Sequence, residues 1–288
     1  MTQPAFWRSP LDPERVMSAP VAHWQEAERV EREEYLTVEE PLEIRLGERA
    51  LATIMRTPGH DAELACGFLL SEGLIQQAED VVAVRPASDS DGLPLVNVVD
   101  IRLREPLMSK LAATALQRHF TVSASCGLCG KDSIADILCT TAAAGAAISE
   151  DHVRISASCL YNLPERLRQA QDVFSHTGGL HAAALFDARG QLCLLREDIG
   201  RHNAVDKLIG HGVLERTLPY TAALLLVSGR TSFEIIQKAL RAHIPCIAAI
   251  SAPSSLAVEL AAESGITLIG FLRSHTMNVY THPERIIS

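Results

Sequence analysis

The sequence predicts an α/β protein, a mixed or parallel sheet flanked by helices. Short apolar runs alternate with stretches of helical spacing in the second half, at Ala222 to Val227, Phe233 to Ala242, Cys246 to Ile250, Leu256 to Glu263 and Ile266 to Leu272. That alternation implies βαβ units. Turn and cap signals separate the runs: Ser228-Gly229-Arg230 is a turn, and Thr231 with Glu234 matches a capping box at a helix start. Finally, 288 residues with 47% hydrophobic and 21% charged side chains suffice for one large core or two modest ones.

Residues 1–35 lack sustained apolar periodicity and carry the run EAERVEREE, which predicts a solvated acidic arm or a short exposed helix. Residues 36–120 form an N-terminal α+β part and 121–288 an α/β core. Pro41 to Thr57 predicts two short strands around Gly47, with Leu42, Ile44 and Leu46 alternating in the first. Asp61 is placed to cap a helix whose inner face carries Leu64, Ala65, Phe68 and Leu69. The Gly/Pro/Asp/Ser cluster at 86–94 marks a loop, Val96 to Leu103 alternates as a strand, and Pro106 to Phe120 has helical spacing. Further on, Pro164 to Phe174 predicts a helix and Leu192 to Leu195 a strand.

A net charge of −9 disfavours binding to nucleic acid or to anionic membranes, both of which reward a basic surface. The first 40 residues hold nine acids against four bases, so more than half of that excess lies in one-seventh of the chain and leaves room for a basic pocket in the body. No apolar stretch is long enough to span a bilayer and the first residues lack a signal-peptide core, so a soluble cytoplasmic protein is expected. An odd set of seven cysteines argues against a disulfide framework. Cys66, Cys139, Cys159, Cys193 and Cys246 sit among apolar or small neighbours, as buried inert thiols do.

Cys126 and Cys129 differ, standing in Ser125-Cys126-Gly127-Leu128-Cys129-Gly130. Glycines lower the cost of bringing backbone amides close to sulfur, and amides aimed at sulfur favour the reactive thiolate. Two such thiols can meet a metal, form a reversible disulfide or carry sulfur. Zinc needs about four ligands and would have to recruit His119 or Cys139. The zinc deaminase pattern wants H-x-E and P-C-x-x-C, whereas His60-Asp61-Ala62-Glu63 has other spacing and Ser125 stands where proline is expected. A thioredoxin-like oxidoreductase would be much shorter. The motif alone does not choose between these and a persulfide carrier.

Arg196 to Lys207 (REDIGRHNAVDK) masses polar groups where a strand meets a helix start, which suits either an anion site or an ion-pair network among Glu197, Asp198, Arg201 and Lys207. The Gly-rich Ser175 to His181 loop allows close backbone approach or simply a turn. Ligands of open parallel sheets bind beyond the strand carboxyl ends, so the 228–232 and 271–276 segments are candidate walls of one pocket, with Arg230 and Arg273 suited to phosphate.

These stretches together resemble the formate dehydrogenase accessory sulfurtransferase family. The resemblance rests on TPGHDAELACGFLLSEGLI (57–75), SCGLCGKDSI (125–134), HTGGLHAAAL (176–185), EDIGRHNAVDKLIG (197–210), SGRTSFEIIQKA (228–239), SAPSSLAVELA with GITLIGF (251–271) and NVYTHPERI (278–286). It runs in order from about residue 36 to 288. It implies a cytidine-deaminase-like core without zinc chemistry, and a cytoplasmic homodimer with no metal of its own. It also implies that a cysteine desulfurase supplies sulfur and that the sulfur goes to the molybdenum or tungsten of bis-molybdopterin guanine dinucleotide, for the formate dehydrogenase catalytic subunit. By position in the motif, Cys126 is implied as the persulfide carrier and Cys129 as a thiol that assists transfer or resolves the persulfide. The family's cofactor-contacting segment falls on Phe271, Leu272, Arg273, Ser274, His275 and Thr276; Gly-Arg is expected where His275-Thr276 stands, and Arg201, Arg230 and Arg273 are available to compensate. A cofactor-holding chaperone without sulfur transfer and a zinc nucleoside deaminase are the competing expectations.

Overall fold

Leu224, Leu225, Leu226 and Val227 point alternately into two different cores, one on each face of a central sheet. The computed structural model describes residues 12–47, 49–111 and 153–288, and the backbone alone at 7–8, 112–115 and 120–122. The CxxC segment with Cys126 and Cys129 lies outside the described residues, as do His119 and Cys139.

The elements follow in chain order. β1 (Trp7–Arg8), β2 (Val16–Gln25) and β3 (Glu28–Thr37) are antiparallel. Next come β4 (Glu40–Leu46), β5 (Arg49–Arg56), α1 (Asp61–Ser71), β6 (Val81–Ser88), β7 (Pro94–Leu103), α2 (Leu107–Ala115) and β8 (Phe120–Val122). After the undescribed stretch stand β9 (Ile155–Ser156), α3 (Ala157–Ala170), α4 (Asp172–Thr177), β10 (His181–Phe186), β11 (Leu192–Asp198) and α5 (Arg201–Leu214). β12 (Leu224–Val227), α6 (Phe233–Arg241), β13 (Cys246–Ala249), α7 (Ser255–Glu263), β14 (Thr267–Gly270), β15 (Asn278–Thr281) and β16 (Ile286–Ile287) complete the chain.

The six-stranded sheet runs β11-β10-β12-β13-β14-β15. Only β12, β13 and β14 are parallel; β10, β11 and β15 join antiparallel, so the predicted βαβ array forms the middle of a mixed sheet. α3 packs Leu160, Leu163 and Leu167 on one face. On the other face α5, α6 and α7 share a core with α1 and with a five-stranded sheet ordered β6-β7-β4-β5-β8.

α1 departs from the one-sided helix expected. All residues from Leu64 to Ser71 are buried, because α1 lies between the five-stranded sheet and α5 and has no solvent face to leave polar. The two helices touch through backbone: a Cβ on Gly67 would stand 1.8 Å from the Asp206 carbonyl oxygen, and one on Gly210 1.7 Å from that of Glu63. Three buried polar side chains add a cross-link, with Ser71 Oγ 2.6 Å and Lys238 Nζ 2.7 Å from Asp206 Oδ1.

Several local expectations change. The acidic arm is a β-ribbon rather than a helix; Pro20 and the period-two placement of Arg29–Glu31 and Arg32–Glu34 suit a strand. Asp61 opens α1 but caps nothing, since its carboxylate takes two hydrogen bonds from Arg56 (2.9 and 2.8 Å). The helix expected over Pro164 to Phe174 starts earlier and breaks at Gln171. The Thr231 capping box does not form. Thr231 is bridged to the loop after β13, donating its N–H to Ala252 and accepting from Ser254, so Ser232 takes the cap position. Helical spacing from Pro106 to Phe120 yields α2 only to Ala115, with β8 beginning at Phe120. Cys66 and Cys246 are buried as expected, whereas Cys159 is half-buried and Cys193 is exposed at the start of an edge strand.

Candidate functional site at the carboxyl edge of the sheet

The parallel strands β12, β13 and β14 end at Val227, Ala249 and Gly270. At the same edge β11 ends at Asp198, opposite His181 where β10 begins. One rim therefore collects the 176–181 loop, the start of α5, and the 228–232, 250–254 and 271–276 turns. Those are four of the stretches singled out from sequence, with the loop after β13 as their neighbour.

The REDIGRHNAVDK stretch divides its labour. Asp198 is fully buried and pairs with Lys207 Nζ at 2.8 Å. It also accepts hydrogen bonds from Thr57 N, Gly200 N and Asn203 Nδ2 at 3.2, 2.8 and 2.9 Å. Lys207 donates to the Thr57 carbonyl and Asn203 to that of Met55, each at 2.8 Å. Glu197 accepts from the Val173 and Phe174 amides at the start of α4; burial raises its pKa and those amides oppose the rise. Asp198 and Lys207 thus clamp the strand end to the 57–61 turn, Asn203 ties it to the end of β5, and Glu197 fixes the adjoining loop. Of the ion-pair network expected among Glu197, Asp198, Arg201 and Lys207, the Asp198–Lys207 pair is the one found among the described residues; Glu197 is held by backbone amides instead.

Arg201, half-buried at the start of α5, has a buried Nε with no hydrogen-bond partner among the described residues. It lies against Gly229 with His181: a Cβ at Gly229 would meet His181 Nδ1 at 3.3 Å and the Arg201 Cβ and Cδ at 3.5 Å. Arg230 follows and is exposed. Burial, then the charges of Arg201 and Arg230, push the His181 pKa down despite Asp198. His202 is buried 3.3 Å from Ser232 Oγ and 3.9 Å from Glu234; burial, with Lys238 and Arg201, holds it down to about 4. Two imidazoles whose protonated form burial disfavours therefore stand beside the Arg201 and Arg230 guanidiniums. That arrangement offers hydrogen-bond donors and acceptors together with fixed positive charge, the chemistry that recognises phosphate.

The 271–276 segment crosses the end of β13. Phe271 is 42% exposed with φ of 52°, a left-handed conformation unusual for a bulky side chain, held by its N–H to Ser251 O at 3.1 Å. Leu272 sends its side chain into the core and its N–H to Ala249 O, so it anchors the turn. Arg273 N donates to Thr276 O at 2.8 Å and Nη1 reaches the Ile250 and Leu272 carbonyls. Arg273, Ser274, His275 and Thr276 are exposed on the rim.

A cavity of about 520 Å³ opens beside this rim, lined by Leu167, Gln171, Phe174, Gly179, His181 and Ser228 among others. Gln171 escaped the sequence reading because it lies at a helix break that the spacing hides. Among the described residues no three His, Cys, Asp or Glu side chains gather as a metal site would require, and no helix is long and apolar enough to cross a membrane.

The profile of the FdhD/NarQ family matches residues 37–287. The chain belongs to the FdhD/NarQ family. It is 49% identical over 269 residues to a protein of Mycolicibacterium paratuberculosis named sulfur carrier protein FdhD, covering 92% of this chain and 97% of that one. A protein of the same name from Sulfurisphaera tokodaii is 46% identical, with 91% of this chain and 95% of that one covered. A crystal structure from Desulfotalea psychrophila, ascribed to a formate dehydrogenase accessory protein, superposes with a TM-score of 0.73 at 23% identity, covering 95% of this chain and all of that one. The FdhD/NarQ fold is thereby shared across distant sequences, and the match begins where the ribbon ends, as the resemblance from sequence implied.

Proposed function

We propose that the protein is a sulfur carrier serving formate dehydrogenase. Cys126 accepts sulfane sulfur from a cysteine desulfurase and passes it to the molybdenum, or tungsten, of bis-molybdopterin guanine dinucleotide before that cofactor enters the apoenzyme. The observation that carries this reading is kinship: relatives named sulfur carrier protein FdhD match almost the whole chain at about half identity. The protein acts as a cytoplasmic homodimer whose macromolecular partners are the desulfurase and the formate dehydrogenase catalytic subunit.

Loading is a thiol exchange. The Cys126 thiolate attacks the outer sulfur of the donor's persulfide, a new S–S bond forms on Cys126, and the donor's own cysteine leaves as thiolate. Release follows when the Cys129 thiolate attacks the Cys126 sulfur. The outer sulfur departs as hydrosulfide, and the resulting Cys126–Cys129 disulfide is returned to two thiols by a dithiol reductant. The four described cysteines suit this chemistry poorly. Burial raises the pKa of each, to about 12 for Cys66 and Cys246 and upward also for Cys159 and Cys193. Arg201, Arg230 and Arg273 along the strand-end rim supply the positive charge that a ligand with several phosphates needs, within a chain of net charge −9.

The test is intact mass after incubation with a cysteine desulfurase and cysteine, for wild type, Cys126→Ala and Cys129→Ala, with and without reductant. A reductant-labile gain of one sulfur atom, absent from Cys126→Ala, is expected. No gain on any variant overturns sulfur transfer and favours a chaperone that only holds the cofactor. That second reading draws on the rim, which is assembled from strand ends and requires neither cysteine. It predicts that Cys126→Ala still activates formate dehydrogenase.

A further inference from the structure

The ribbon of β2 and β3 is rooted beside the candidate site. Thr37 Oγ1 hydrogen-bonds Thr177 Oγ1 at 2.9 Å, and the Tyr35 and His176 rings lie 6.4 Å apart, so the ribbon rises next to the 176–181 loop. Among the described residues β1 pairs with it only at Met17 and Ser18. Further out its side chains turn to solvent, with Trp24 64% and Val30 55% exposed. Between Ala22 and Glu34 it carries five glutamates and two arginines. Arg29 and Arg32 are tied to Glu31 and Glu34 at 2.9 and 2.8 Å, which leaves Glu26, Glu28 and Glu33 as the excess charge.

We infer that this ribbon docks the cofactor-receiving apoprotein, by binding the basic surface around its cofactor entrance. The inference rests on the proposed function and adds how the acceptor is recognised. A protein that takes up a ligand bearing several phosphates presents lysine and arginine at the mouth of its pocket. An acidic arm at the rim of the delivering site meets that mouth with opposite charge and brings the two openings together. The same charge repels the free cofactor from the arm and leaves it to Arg201, Arg230 and Arg273. The register places Trp24 and Val30 on opposite faces of the ribbon, so each face offers one exposed apolar side chain among charges to a partner that grips the ribbon. A two-stranded ribbon with open edges is otherwise a liability for a soluble protein.

The experiment compares wild type with Glu26→Lys/Glu28→Lys/Glu33→Lys, which spares both ribbon ion pairs. Affinity for the purified, cofactor-free formate dehydrogenase catalytic subunit is measured at low and moderate salt, and sulfur loading by a cysteine desulfurase is followed in parallel by intact mass. Affinity is expected to fall roughly tenfold or more at low salt and to lose most of its salt dependence, with loading unchanged. Unchanged affinity in a variant of unaltered circular dichroism overturns the inference. So does loss of desulfurase loading with acceptor affinity intact, which makes the ribbon a donor dock, or a halved mass in solution, which makes it a contact between copies. If wild type neither loads sulfur nor binds the apoprotein, the proposed function fails, a result distinct from failure of the ribbon alone.

Discussion

Lys207 Nζ lies 2.8 Å from Asp198 Oδ2, and neither side chain is more than 1% exposed. The pair joins the end of β11 to the 57–61 turn and sets the angle at which α5 presents Arg201 to the rim. Lys207→Met leaves the Asp198 charge buried without its cation, which costs about 3–5 kcal/mol. Urea unfolding at neutral pH checks this, and a loss below about 1 kcal/mol would show that Asp198 is held by its amides alone.

Gly67→Ala and Gly210→Ala each place a methyl within 1.8 Å of a backbone carbonyl oxygen on the opposite helix. Backbone cannot rotate away as a side chain can, so α1 and α5 must separate. Each substitution is expected to cost about 3 kcal/mol or more, read as a lower thermal midpoint or loss of soluble protein. Gly92→Ala is a poor control because its φ is 81°; Ala188→Ser on the exposed β10–β11 turn is the better one.

Two stability windows are expected on the acid side. His202 has its pKa lowered from 6.5 to about 4, so between those values the unfolded chain takes up a proton that the folded one refuses. Stability is therefore full above pH 6.5 and declines as pH falls towards 4. Burial raises the Glu63 carboxyl, but hydrogen bonds and charges from Arg196 and His60 outweigh it and hold the pKa at about 2 against 4.5. Its contribution is present above pH 4.5 and disappears as pH falls towards 2. Urea midpoints across pH should show His202→Asn flattening the upper window and Glu63→Gln the lower; the reverse assignment would contradict both.

Guanosine diphosphate serves as a fragment of the proposed ligand. Replacing Arg201, Arg230 or Arg273 by Gln removes a charged donor and is expected to weaken its binding about tenfold or more each. Gly229→Ala acts indirectly, by displacing His181 a few tenths of an ångström while its contact with Arg201 stays an ordinary one. Calorimetric titration would measure these constants. Equal binding by wild type and all three arginine variants would remove the rim from the phosphate role.

Much of this arrangement was legible in sequence. The strand runs near 222–227, 246–250 and 266–272 appear where period and turn residues put them, because a fully buried strand needs an unbroken apolar run whatever surrounds it. The 197–207 stretch was legible as important, but not in what way. Nothing in its spacing shows that Asp198, Asn203 and Lys207 turn inward to the end of β5 and the turn after it, 141 to 150 residues away in the chain, while Arg201 faces the rim. The Thr231 box satisfied a local rule and lost to a bridge with Pro253 that no local window contains.

The sequence by itself determined the α/β class, the family and the list of chemically notable residues, since these depend on composition, period and short strings. Only the tertiary structure decided which of those residues are framework and which face a ligand. It put Leu272 in the core, paired Asp198 with Lys207 and left the Arg201 Nε without a partner among the described residues. The physical reason is that burial and pairing are properties of contacts between distant segments, and a chain does not encode them at any single position.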